Sequence, residues 1–196
     1  MSKAWPKLRA SLIRQAANQS LDHSARLSSV ADCSNSRGVH ASQTRALTMA
    51  ATDLISFSVH LRRLIELTEV WNSAKAVTVP FWLPPSTDAQ QTESIPLWDL
   101  LNAILHSRHM DIMTHEAEFR VTYLGEDFDW EAAFESIRTK NSGEIPTFVL
   151  VQSDRQKAFV FGLLELIRSY EKFIQQVVER CAENGLDLCD DIPEFF

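Results

Sequence analysis

Residues 47–71 read LTMAATDLISFSVHLRRLIELTEVW. Leu47, Ala50, Leu54, Phe57, Leu61, Leu64, Thr68 and Trp71 recur every three or four residues, the spacing that aligns side chains on one face of a helix. A single apolar stripe running through about seven turns has no way to leave water unless a second helix covers it. The stretch therefore predicts a mainly α protein, an antiparallel helical bundle built on long heptad-patterned helices.

Both flanks extend that expectation. Upstream, Pro6 suits the first turn of a helix whose apolar positions are Leu8, Leu12, Ala16, Leu27 and Val30. Residues 31–43 are rich in Ser, Asn and Gly, which compete with helical hydrogen bonds, and read as the connection to the second helix. Near the other end, Ser153 with Gln156 has the form of a capping box. Val160, Leu163, Ile167, Tyr170, Ile174, Val177 and Cys181 then repeat at three and four before Gly185, which predicts a long closing helix ending there.

The middle of the chain is of another kind. Four prolines in residues 75–96 forbid a regular helix and predict a crossover segment. Pro96 opens a short helix in which Leu97, Leu100, Leu101, Ile104 and Leu105 share one side. After Arg108 the period changes to alternation, with Met110 and Ile112 against Asp111, then Phe119, Val121 and Tyr123 against Arg120 and Thr122. This predicts a small β element over about residues 108–151: a hairpin turning near 115–117, a short helix over 130–140 capped by Asp129, and a third strand in 147–151. No internal repeat or strong shift in composition divides residues 1–196, so a single domain is expected.

Composition narrows the function classes. With 45% hydrophobic and 23% charged residues among 196, only five Gly and no apolar run of about 18 residues, an ordinary globular domain without a membrane span is expected. The net charge of −7 disfavours broad binding to RNA. A local basic segment, Lys3, Lys7, Arg9, Arg14, Arg26 and Arg37 against Asp22 and Asp32, could still attract RNA or an acidic partner. Cys33, Cys181 and Cys189 include no C-x-x-C pair and no apolar secretory segment opens the chain, so free thiols in the cytoplasm are expected. There is no G-x-S-x-G, H-E-x-x-H, P-loop or G-x-G-x-x-G, and no cofactor is implied. Trp5, Trp71, Trp82, Trp98 and Trp130 border apolar segments and read as core or rim packing.

The candidate chemistry lies in LWDLLNAILHSRH, residues 97–109. Asp99, Asn102 and His106 stand at i, i+3 and i+7, on one polar stripe opposite the leucines. An imidazole held between an amide and a carboxylate can move protons or grip a phosphate. A His beside Leu105 at the end of such a helix is expected to be partly buried.

Asn102-Ala-Ile-Leu-His106 on a helix of a bundle resembles the HEPN superfamily, whose ribonuclease members carry an Arg, often followed by Asn, and a His after a gap of four to six residues. Asn102 and His106 match in type and spacing; Leu101 stands where the family has its Arg. The resemblance covers about six residues and the helical plan of the chain. In such ribonucleases it implies two protomers joining their motifs for metal-independent RNA cleavage, with the Arg steadying the phosphate. A missing Arg implies a non-catalytic HEPN-like protein acting by self-association or protein binding, with bacterial defence or toxin–antitoxin systems as the implied setting. The alternative is a ribonuclease using His106, with Asn102 and a cation supplied by Arg62, Arg63 or Arg108. Arg108 and His115 also satisfy the gap, but they flank a segment read as strand.

A metal reading rests on His109, Asp111 and His115, which would share one face of a strand near His106. No Cys joins them, and the expectation is no metal.

Overall fold

The structure, a computed structural model, describes residues 5–32, 40–82, 93–113, 147–153 and 159–188. Over these it is mainly helical and carries one antiparallel five-stranded sheet. The helices are α1 (Lys7–Asp32), α2 (His40–Thr68), α3 (Trp71–Ala76), α4 (Leu97–Leu105) and α5 (Leu163–Glu183); the strands are β1 (Thr78–Trp82), β2 (Glu93–Pro96), β3 (Ser107–Met113), β4 (Phe148–Ser153) and β5 (Phe159–Gly162). No helix among the described residues is long and apolar enough to cross a membrane.

α2 forms as its spacing predicts: Ala50, Leu54, Phe57, Leu61, Leu64 and Thr68 are buried, and Leu47 packs against the core. The stripe stops one turn earlier than expected. Glu69 adopts a left-handed conformation, φ 60°, which ends the helix. Trp71 belongs to α3 and is partly exposed. Arg9 closes this end of α2, donating from Nε at 2.8 Å to the Leu67 carbonyl, an acceptor in the last turn without an intrahelical partner, and from Nη2 to Glu69 at 2.7 Å. Because Arg9 meets residues 67–69 while His23 and Arg26 meet Asp53, α1 and α2 run antiparallel.

α1 presents a different face from the expected one. Its buried stripe is Ile13, Ala16, Ala17, Ser20, Ser24, Leu27 and Ala31, while Leu8 is 74% exposed. Small residues win these positions because they admit the bulk of neighbouring helices. Tyr170 of α5 donates into this stripe, and its ring meets Phe57 of α2 edge-on, with centroids 5.1 Å apart at 78°. Two serines satisfy their hydroxyls within the helix, Ser28 donating to the Ser24 carbonyl at 3.0 Å and Ser29 to the Ala25 carbonyl at 3.1 Å.

The sheet departs furthest from expectation. In place of a hairpin or three strands it has the order β2-β1-β5-β4-β3. The segment read as a crossover, residues 75–96, contains β1 and β2, paired from Thr78 with Pro96 to Phe81 with Glu93. Pro80 is tolerated because β5 pairs only with Phe81 and Trp82, which leaves Pro80 with a strand on one flank. β3 pairs with β4 and not with a strand at 119–123; that strand, the turn near 115–117 and the helix over 130–140 lie outside the described residues. Val160, expected to begin the closing helix, lies in β5, where Leu150 is its cross-strand partner. Ser153 correspondingly ends β4 instead of capping a helix.

α4 carries the chain from β2 at one edge of the sheet to β3 at the other. The two edge strands therefore run in the same direction, as a helical crossover allows. Its apolar side, Leu97, Leu100, Leu101, Ala103 and Ile104, is buried. α5 ends as the glycine predicts. Gly185 is left-handed at φ 73°, its N–H donates to Ala182 at 3.0 Å, and the Leu186 N–H donates to Cys181 at 2.9 Å, the paired bonds of a Schellman motif.

Candidate functional site

Asp99, Asn102 and His106 lie on the side of α4 opposite its buried leucines, as their spacing requires. Asp99 and His106 are exposed and Asn102 is half-buried. His106 forms the helix C-cap, its backbone N–H donating to the Asn102 carbonyl at 3.0 Å. Among the described residues no hydrogen bond joins the three side chains. The expectation of a partly buried His106 is corrected: the helix ends at that residue, so its side chain stands in water and not against a further turn. Leu101, at the position of the motif's Arg, is fully buried.

Of the expected cations, Arg62 and Arg63 lie on α2 and Arg108 on β3. Arg62 donates from Nε to Glu66 at 3.2 Å and lies over the Trp98 ring, 5.1 Å from its centroid. Trp98 in turn meets Trp71 edge-on at 4.8 Å. Trp98 and His106 are eight residues apart along α4 and its end, about 12 Å at 1.5 Å per residue. Arg63 stands on another side of α2, close enough to His60 to act on it electrostatically. Arg108 occupies the register shift of β3, between Ser107 paired with Ser153 and His109 paired with Gln152. His109 Nε2 and Asp111 Oδ2 are 2.7 Å apart on one face of β3, the juxtaposition expected of that strand; His115 lies outside the described residues. No group of three or more metal-ligating side chains occurs among the described residues.

The best-built polar cluster was not singled out from sequence. It joins α1 to α2. Asp53 Oδ1 lies 2.7 Å from His23 Nδ1 and accepts from Arg26 Nε at 2.9 Å, and Arg26 Nη2 lies 2.7 Å from the same His23 Nδ1. The His23 and His60 rings stack 5.6 Å apart at an interplanar angle of 8°. The side chains of His23 and Asp53 are only 16% and 17% exposed. Partial burial holds the His60 imidazole below its ordinary value, helped by the nearby His23 and by the Arg63 charge. His60 Nδ1 is buried with no hydrogen-bond partner.

A signal for this cluster was available. His-x-x-Arg occurs twice, as His23-Ser-Ala-Arg26 and His60-Leu-Arg-Arg63, and the i, i+3 spacing puts each pair on one helix face. What the sequence did not contain was the antiparallel register that sets the two pairs together. No family model matches the chain, and neither a curated protein nor a solved structure matches it.

Proposed function

We propose that the protein is a non-catalytic, HEPN-like helical module that acts by self-association, with the solvent face of α2 receiving a second copy. The observation that carries this reading is the exposure of Met49 (56%), Ile55 (44%) and Val59 (46%) on that one helix. The face is also self-complementary on reversal. An antiparallel pairing about a twofold axis at Ile55–Ser56 sets Val59 against Thr52 and Met49 against the stem of Arg62. It brings Arg45, exposed near the start of α2, opposite Glu66 of the second copy near its end. The apolar contacts provide the affinity; the exposed charge pairs set the register and contribute little energy.

The antiparallel α1–α2 pair with α5 packed on it supports the helical-bundle part of the reading, and Asn102 and His106 on α4 support its HEPN part. Its non-catalytic part follows from Leu101. A cation at that buried position would lose its water without a partner to replace it.

Sedimentation velocity across a micromolar concentration series tests the proposal. The wild type should show a concentration-dependent dimer, Ile55→Glu should be monomeric, and Arg45→Glu should weaken association that Arg45→Glu with Glu66→Arg restores. A strict monomer refutes self-association. RNA cleavage in EDTA that disappears in His106→Ala, with the fold intact, overturns the non-catalytic reading in favour of a ribonuclease.

A further inference from the structure

We infer that the His23–Arg26–Asp53–His60–Arg63 cluster on the α1–α2 seam is a binding site for a phosphate group, free or as a monoester. This site is on a different helix pair from the α4 motif and does not depend on self-association.

The hydrogen bonds at Asp53 hold two of these side chains in place. Asp53 Oδ1 lies 2.7 Å from His23 Nδ1 and accepts from Arg26 Nε at 2.9 Å. Arg26 Nη2 also lies 2.7 Å from His23 Nδ1 with a hydrogen directed at it; Nδ1 carries either a proton or a lone pair and satisfies one of these two neighbours, not both. The remaining Nη hydrogens of Arg26 have no partner among the described residues.

The other half of the site has the same surplus of donors. Arg63 is exposed and has no carboxylate partner among the described residues. His60 offers a ring nitrogen that is buried and makes no hydrogen bond, a group that native structures usually pair with protein, water or an ion. Charge points the same way. With neutral imidazoles, Arg26 and Arg63 against Asp53 leave one positive charge, and an arriving dianion would favour protonation of both rings. Asp53 acts as a positioning residue: it turns the His23 ring and fixes Arg26 at its Nε, as a carboxylate does for an imidazole that must present its other nitrogen. Two forked guanidiniums with two imidazoles match the several oxygens of a phosphate better than a single carboxylate ligand would.

The test is a titration with inorganic phosphate at constant ionic strength, made up with chloride, following the His23 and His60 ring resonances by NMR. A parallel arm uses glycerol phosphate, and the comparison assigns the ligand as a free phosphate or an ester. Saturable shifts at both rings are expected, with affinity falling at least tenfold in Arg26→Gln and in Arg63→Gln. Arg63 has no partner here to lose, so its variant carries the test should Arg26→Gln fold poorly. Shifts that chloride reproduces, that do not saturate, or that survive Arg63→Gln unchanged overturn the proposal.

Discussion

The hydroxyl pair that ties α1 to α5 gives a prediction with an unusual sign pattern. Ser20 Oγ donates to the Ala17 carbonyl at 2.8 Å and lies 3.0 Å from Tyr170 Oη. Ser20 has a single hydroxyl proton and has spent it on Ala17, so Tyr170 is the donor. Burial pushes the phenol above its ordinary value, and the Ser20 bond opposes this only in part. Tyr170→Phe removes one net hydrogen bond, about 1 kcal/mol, and leaves no donor unsatisfied. Ser20→Ala instead strands the phenol O–H in a site that is 1% exposed, a penalty of about 1–3 kcal/mol, of which roughly 0.5 kcal/mol is returned by the better helix propensity of Ala. The smaller truncation should therefore be the more damaging, at about 1.5 kcal/mol. With both changes the stranded donor is gone, and the cost should drop to about 1 kcal/mol or less, at least about 1.5 kcal/mol below the sum of the singles. In thermal melts of a chain this size, about 2–4 °C accompanies each kcal/mol, so Ser20→Ala should melt lowest of the three variants. Urea unfolding with unchanged m values would supply the free energies. If Ser20→Ala costs no more than Tyr170→Phe and the two add within about 0.5 kcal/mol, the donor assignment is wrong.

Three further predictions concern single side chains. The His60 imidazole is lowered below 6.5 by burial first, then by His23 on α1 and Arg63 on α2. The unfolded chain then binds a proton before the folded one does, so the stability that His60 contributes is complete above pH 6.5 and falls as pH drops toward the folded value. His60→Phe, which keeps the ring stack and removes the titration, should flatten the pH dependence of urea midpoints below 6.5; an unchanged slope would contradict this. Burial pushes the Cys181 thiol up to about 11, a nearby Arg180 notwithstanding, so at pH 8 about a thousandth of it is thiolate. With Cys33 and Cys189 replaced by Ala, thiol reagents should label Cys181 only at the rate of unfolding, and prompt labelling of the native protein would show that the site is open. His106→Ala should leave the melt within about 0.5 kcal/mol of the parent, because the side chain is exposed and makes no bond; a larger loss would restore the partly buried His106 that its place beside Leu105 first suggested.

Periodicity by itself determined α2 and α5. The three-and-four spacing of Ala50 to Thr68 and of Leu163 to Cys181 appears in the structure as buried faces, and Gly185 ends the last helix where it was expected, since these features depend on neighbours within one or two turns. Local pattern also placed α4 and the strand character of Met110–Ile112 and Phe148–Val151. Tertiary contact decided the rest. Residues 78–82 read as a proline-broken crossover until β2 and β5 provide partners, and Val160 fits a helical stripe equally well until Leu150 pairs with it. The small-residue face of α1 has no signature in a hydrophobic pattern, because Ser20 and Ser24 are polar yet buried, Ser20 against Tyr170. The polar cluster shows the same division: each His-x-x-Arg turn is local and could be read, but the stacking of His23 on His60 and the shared Asp53 depend on the antiparallel register of two helices, which no spacing within either helix contains.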